Sequence, residues 1–412
     1  MTFRKILFWL HLPAGLIAGL VVFIMSVTGV LLTYERQIVI WADRAFWSAP
    51  APGAARLPVE TLLAKTRESL HTLPATVLVR SDSSAPVEAG FGRERTVYVN
   101  PYTGAVLGEG SKGTKEFFRS VTDWHRWLAQ NGPGRPTGRA MTGASNLLFL
   151  FLVVSGLYLW LPKKWSLQHL KPILLFRGGL AGKARDFNWH NVIGFWACVP
   201  LFFIVLSGVV MSYPWANNLL YTMTGSEPPT QQGRGPGVGG PDGGRERAES
   251  GRPQREGRPD SGGERGEDGV QEISLAGLDQ LWEIAAKQTP GWQNISLRVP
   301  TSERAPVVFT TDRGNGGQPE KRATLTLNRT TGEVMKIETF DGFNLGRKLR
   351  SWGRFLHTGE ALGIAGQTIA GLASAGAAVL VYTGFMLAWR RFRAWQSRRK
   401  KAAVLEPELS LR

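Results

Sequence analysis

Four stretches of the chain are apolar and free of charged side chains: Ile6 to Tyr34, Ala140 to Pro162, Phe187 to Tyr213 and Ala361 to Trp389. Each is long enough for the roughly 20 helical residues that cross a bilayer core about 30 Å thick, so the pattern predicts four transmembrane helices. The first run is about twice the usual apolar length of a secretory signal and has no small-residue cleavage pattern close behind it, which predicts a retained helix. Between these runs the period changes. Val59 to Leu70 and Leu278 to Gln288 read as helices. Alternating runs follow each of them and lead to Thr96–Leu107 and Ala323–Met335, where Asn100 with Gly104, and Asn328 with Gly332, mark hairpins. The resulting order is helix 1 (1–34), an α+β segment (35–138), helix 2 (139–162), a basic loop (163–186), helix 3 (187–213), a second α+β segment (214–360), helix 4 (361–389) and a basic tail (390–412).

Charge orients this arrangement. Arg4 and Lys5 precede the first helix; Lys163, Lys164, Lys171, Arg177, Lys183 and Arg185 fill the short loop; and the tail from Arg390 to Lys401 is basic with no acidic residue. Basic short segments resist translocation, so all three belong in the cytoplasm and the two long connections lie outside. The formal charge of +17 is therefore mainly a topology signal and an affinity for the membrane surface, with nothing pointing to nucleic acid. The single cysteine, Cys198, excludes an internal disulfide framework, a CxxC zinc site and a cysteine-ligated iron–sulfur cluster, and reads as a small buried hydrophobe. Within the second connection, 227–269 holds 19 Gly or Pro among 43 residues with only Val238 and Ala248 as aliphatic side chains, which predicts disorder.

The chain repeats itself. His11 is followed by Gly15, Gly29 and Tyr34 at offsets of 4, 18 and 23 residues, and His190 by Gly194, Gly208 and Tyr213 at the same offsets. Thr28–Gly29 and Ser207–Gly208 correspond, and the second and fourth helices carry the same step as Ser155–Gly156 and Thr383–Gly384. Gly143 and Gly371 each stand 13 residues before that step. The predicted fold class is thus an α-helical membrane protein of four transmembrane helices arranged as two parallel repeats, related by a pseudo-two-fold axis along the membrane normal, each with a small external α+β domain.

That symmetry sorts four of the six histidines into pairs: His11 with His190 near the cytoplasmic boundary, and His125 with His357 near the outer one. Equivalent residues face each other across the axis, as two axial ligands of one metal centre must, and neutral imidazole is a good axial ligand for haem iron. Gly15 and Gly194, one turn from the inner histidines, would leave room for a flat macrocycle. Arg4, Lys5 and Arg185 near the inner pair, and Arg126 and Arg354 near the outer pair, are candidates to neutralise haem propionates. A single interfacial histidine is ordinarily a hydrogen-bonded surface side chain; placement at both levels in both halves is what favours ligation. His71 and His169 have no counterpart and read as surface residues. Most of the Trp residues cluster at helix ends like an interfacial belt, whereas Trp124 and Trp352 stand near the outer histidines. No GxSxG, HExxH, P-loop or strand-anchored dinucleotide fingerprint is present.

With His11 and its glycines, Asp123-Trp-His125-Arg126-Trp-Leu, Asn188-Trp-His190-Asn191 with Gly194, and Arg354 to Gly359, the chain resembles the PepSY-associated transmembrane family of bacterial inner-membrane proteins linked to iron uptake. The likeness covers nearly the whole chain except the Gly/Pro/Arg insert. Some members are ferrisiderophore reductases that hold two b-type haems and pass electrons from the cytoplasm to a ferric siderophore in the periplasm. The resemblance implies that role here, with PepSY-like periplasmic domains, both termini cytoplasmic and an unidentified cytoplasmic electron donor. The competing expectation is a non-redox membrane adaptor whose periplasmic domains bind a protease or envelope partner.

Overall fold

The structure, a computed structural model, describes residues 2–92, 95–162, 166–228 and 273–409. The insert from residue 229 to 269, Lys163, Lys164 and the side chain of His169 lie outside the described residues. In chain order the helices are α1 (Phe3–Leu32), α2 (Glu35–Ala42), α3 (Val59–Leu70), α4 (Lys112–Trp127), α5 (Arg135–Trp160), α6 (Leu167–Leu174), α7 (Gly182–Ser212), α8 (Pro214–Met223), α9 (Leu278–Gln288), α10 (Leu345–His357) and α11 (Gly363–Leu409). The strands are β1 (Thr76–Arg80), β2 (Val87–Phe91), β3 (Arg95–Val99), β4 (Val106–Gly108), β5 (Asn294–Arg298), β6 (Val307–Asp312), β7 (Arg322–Leu327) and β8 (Val334–Thr339). They form two compact units: Met1–Gln37, Lys115–Ser226 and Leu349–Arg412 in one, Ile38–Thr114 and Glu227–Lys348 in the other.

In the helical unit, α1, α5, α7 and α11 contain the spans long and apolar enough to cross a membrane. α1 packs on α5 and α11, and α7 packs on the same two, so α1 and α7 stand diagonally across the bundle, as do α5 and α11. Small buried residues, among them Ala14, Ala18 and Gly19 in α1, Gly143 and Ser145 in α5, and Ala373 and Ala377 in α11, allow the close approach that helix association in lipid requires. Ile17 (75 % exposed), Leu20 (66 %) and Val199 (62 %) point outward, as lipid-facing side chains do.

Helix ends differ from the apolar runs in a consistent way. α5 and α7 begin at Arg135 and Gly182, four and five residues ahead of the predicted starts, and α11 continues past Trp389 to Leu409 where a separate tail is expected. An apolar run marks the part of a helix that lipid solvates; Arg, Lys and Ala extend it into water at little cost in helix propensity.

The second unit is one eight-stranded antiparallel sheet of order β4-β3-β2-β1-β5-β6-β7-β8. Two separate small domains are expected from the sequence, and this is corrected: β1 pairs with β5 over five residues, Val77 opposite Leu297, joining the two segments. Each four-stranded piece alone would leave a central-type edge unpaired, and pairing removes both edges at once. The period-2 faces are continuous across the join. Val77, Val79, Val87, Ala89, Ile295, Leu297, Val307, Phe309, Leu325 and Leu327 form one core with Leu62 and Leu63 of α3 and Leu278, Leu281 and Ala285 of α9. The two helices cap one another: Glu60 N donates to Asp279 Oδ1 and Asp279 N to Glu60 Oε1, both 3.0 Å.

Both predicted hairpins are present. Asn100 Oδ1 accepts from Tyr102 N (2.8 Å) and Thr103 N (3.1 Å), and Asn328 Oδ1 from Thr330 N (2.9 Å) and Thr331 N (3.1 Å). Gly104 (φ 75°) and Gly332 (φ 72°) then take the left-handed conformation that closes each turn. At the β3 side, Tyr98 Oη donates to Asp43 Oδ2 at 2.6 Å, with both residues buried. Tyr98→Phe is expected to cost the sheet unit about 2 kcal/mol, the usual range for a hydrogen bond to a charged group, read as a lower thermal midpoint.

Candidate functional site

His11 lies on α1 and His190 on α7, the diagonal pair of the bundle; His125 closes α4 and His357 closes α10. In α4 the buried Phe118 and Val121 precede His125 by seven and four residues, which puts all three on one face. The rings of His125 and His357 meet, with centroids 6.2 Å apart and planes at 70°. Two imidazoles on opposite sides of one ion, with metal–nitrogen bonds of about 2 Å, hold their ring centres roughly 6 Å apart. Seventeen residues separate His11 from Thr28 on α1, and His190 from Ser207 on α7, so the two levels stand about 25 Å apart along the helices.

Each ring is anchored through Nδ1. His11 Nδ1 lies 2.8 Å from Ser155 Oγ, His190 Nδ1 2.9 Å from Thr383 Oγ1, and His125 Nδ1 2.9 Å from Thr28 Oγ1. His357 Nδ1 donates to the Ile204 carbonyl at 2.8 Å, with Ser207 Oγ at 3.3 Å. These four hydroxyls are the repeated Ser/Thr–Gly steps. Three of them spend their single hydrogen on the carbonyl one turn earlier: Thr28 on Ile24 (2.7 Å), Ser207 on Phe203 (2.7 Å) and Thr383 on Val379 (2.8 Å). Each is then an acceptor toward its histidine, which fixes the proton on Nδ1 and leaves the Nε2 lone pair available. Ser155 has a longer carbonyl contact, 3.4 Å to Leu152. The backbone of Met25 and of Leu380 also hydrogen-bonds the His125 and His190 rings, and all four histidines are partly buried.

The glycine of the step admits the ring. A Cβ on Gly156 would lie 3.4 Å from His11 Cε1, one on Gly29 3.6 Å from His125 Cε1, and one on Gly384 3.6 Å from His190 Cε1. The fourth, Gly208, faces the Asn146 amide instead, which donates to the Val205 carbonyl at 3.0 Å. A Cβ on Gly15 or Gly194 would meet Leu152 and Leu380 methyls at 3.9 and 3.7 Å, ordinary van der Waals contact.

Two further glycines, not singled out by sequence, seat the outer histidines. A Cβ on Gly138 would overlap the Trp127 carbonyl oxygen, and one on Gly366 would overlap the Gly359 carbonyl oxygen. Trp127 and Gly359 each follow their histidine by two residues, and Gly138 and Gly366 each precede the Gly143/Gly371 pair by five. Thr142 Oγ1 adds a bond to the Arg126 carbonyl at 2.9 Å. The turn after α4 takes Leu128 and Ala129 through positive φ (52° and 56°), a costly conformation for residues with a Cβ.

The basic residues divide. Arg126 and Arg354 rest on the Trp127 and Phe355 rings, 4.7 and 5.7 Å from their centroids, beside the outer pair. Near the inner pair, Arg185 and Arg390 hold the buried Asp186 carboxylate at 2.8 and 3.3 Å, and Arg4 donates to the Leu159 and Leu161 carbonyls at the end of α5. Arg4 and Arg185 therefore have structural partners where an anion-neutralising role is expected. Asn188, two residues before His190, pins the loop after α6 through Leu175 O (3.1 Å) and Arg177 N (3.0 Å). His71 is exposed at the left-handed C-cap of α3, as a surface residue should be.

Among the described residues no three His, Cys, Asp or Glu side chains converge. The residues that could hold a cofactor are therefore the histidines, and hydrogen-bond anchors at Nδ1 are partners that imidazole ligands ordinarily carry.

No curated protein matches the chain. A family model described as the PepSY-associated TM region matches residues 8–391, a span that takes in most of α1, all of α5 and α7, the first part of α11, the sheet and all four paired histidines. The chain is a membrane protein and belongs to the PepSY-associated TM family.

Proposed function

We propose that this protein is a di-haem b reductase of the bacterial inner membrane, carrying electrons from the cytoplasmic side to a ferric siderophore in the periplasm and so releasing iron as Fe(II) for uptake. The observation that carries the reading is the set of four histidines each anchored through Nδ1, two at each end of the bundle. Bound haem would supply reversible one-electron chemistry, and the four histidines would hold it.

The chain's own residues do the rest. His11 and His190 would hold the inner group and His125 and His357 the outer one; Thr28, Thr383 and the Ile204 carbonyl fix the tautomers of His125, His190 and His357, and Ser155 orients His11; Arg126 and Arg354 would offer charge to propionates at the outer level. The matching contacts in the two halves support two parallel repeats about an axis along the membrane normal. The basic N-terminus, short loop and tail favour cytoplasmic termini and sheet-bearing segments in the periplasm. Between the levels, Ala197, Leu201, Ala373 and Ala377 pack with Phe149, Val153, Ile193, Ile204 and Leu380 into an apolar core. A ferric chelate of hard oxygen donors holds Fe(II) less well, because the reduced ion is softer and carries less charge.

The test is the reduced-minus-oxidised visible spectrum of the purified protein with haem quantified per chain. Two low-spin b haems are expected. A colourless protein after expression with ample haem overturns the reading and leaves the adaptor.

A further inference from the structure

The four Ser/Thr–Gly steps are alike in position but not in the bonds they leave their histidines. His357 donates to a backbone carbonyl at 2.8 Å, and Ser207 stands farther off at 3.3 Å. The ring of His11, by contrast, has Ser155 Oγ at 2.8 Å as its one hydrogen-bond partner among the described residues. An acceptor at Nδ1 draws the proton away from the ring and raises the basicity of Nε2, the atom left for a metal. A more basic ligand favours the ferric over the ferrous ion and lowers the potential. Losing the acceptor therefore raises it.

Resting on the two-haem reading, we propose that Thr28, Ser155, Ser207 and Thr383 are positioning residues that set the strength of the four axial ligands, and that Ser155 is the one whose removal has the largest effect. Ser155 is 3 % exposed, and its hydroxyl reaches His11 from α5 across to α1, so the bond also fixes the rotation of the ring about its Cβ–Cγ bond. Gly156 beside it gives the Cε1 edge its place. The Ile204 carbonyl cannot be deleted by a side-chain change, so His357 keeps an acceptor whatever stands at residue 207.

The experiment is a spectroelectrochemical titration of the full-length protein in detergent, with low-temperature EPR of the ferric form, on wild type, Ser155→Ala, Ser155→Thr and Ser207→Ala. Ser155→Ala should raise one of the two midpoint potentials while the other stays, and shift the g-values of that one ferric signal. A tenfold change in the ferric-to-ferrous preference corresponds to about 59 mV for one electron. Ser155→Thr, which keeps the hydroxyl and copies residues 28 and 383, should match wild type; Ser207→Ala should move its haem by less than a third of the Ser155→Ala shift. Loss of one haem from Ser155→Ala with retention in Ser155→Thr also supports the proposal, since outer-shell partners hold about 10- to 100-fold in metal affinity. Unmoved potentials and g-values in a Ser155→Ala protein holding both haems overturn it. So does an equal shift in Ser207→Ala, or in Ser155→Thr. A haem-free wild type removes the two-haem reading itself, and the proposal with it.

Discussion

His357→Ala and His125→Ala are each expected to leave one haem per chain and to reduce ferric-chelate reduction to background. The outer rings face each other at 6.2 Å, so removing either leaves one nitrogen where two are needed. The remaining imidazole stays anchored, His125 by Thr28 or His357 by the Ile204 carbonyl, and does not move to compensate. The inner pair sits about 25 Å away along the helices and should keep its group, so the spectrum should halve rather than vanish. Pyridine haemochrome quantification with a ferric-chelate assay checks this. His71→Ala is the control, because that side chain is exposed at the end of α3 and touches neither pair. Full haem content and full activity in both outer-histidine variants would refute the assignment.

Gly138→Ala and Gly366→Ala should produce the same selective loss without touching a ligand. At each position a methyl group would overlap a backbone carbonyl oxygen two residues beyond an outer histidine, so the helix that bears the histidine must move or the transmembrane helix must bend. Overpacking of ordinary side chains costs about 1–3 kcal/mol, and a clash with backbone, which cannot change rotamer, belongs at the top of that range. The expected readout is a lower thermal midpoint together with loss of the outer haem and retention of the inner one. Gly113→Ala, with open space around its Cβ, should do neither. If Gly138→Ala kept both haems at wild-type stability, the seating role of that contact would be wrong.

Much of the site is legible along the chain because the repeat spells it twice. Matching offsets from His11 and His190 to the Thr/Ser–Gly steps identify the paired positions, and membrane boundaries assign them to two levels. The function of the steps is not legible, since a Ser–Gly dipeptide in an apolar helix reads equally as a packing device. Only when α5 and α4 lie against α1, and α11 and α10 against α7, does each hydroxyl meet an Nδ1. Gly138 and Gly366 escape notice for the same reason: close approach to a backbone oxygen leaves no mark on neighbouring residues. Nor does the sequence show that Asp186, buried in α7, pairs with Arg185 and with the distant Arg390.

What the sequence by itself determined is local or periodic: the four apolar spans, the helices at Val59–Leu70 and Leu278–Gln288, and the two Asn–Gly turns. These follow from hydrophobic period, turn chemistry and self-similarity, each readable within a few residues or by comparing one half with the other. Only the tertiary structure decided that the two external segments share one sheet through β1 and β5, that α11 runs on beyond the membrane-length run, and which hydroxyl and carbonyl each imidazole uses. Those are pairings between groups more than 200 residues apart in the chain, as between Val77 and Leu297. Edge strands and polar side chains carry no label for a distant partner, and the choice falls to whichever arrangement buries them with every hydrogen bond made.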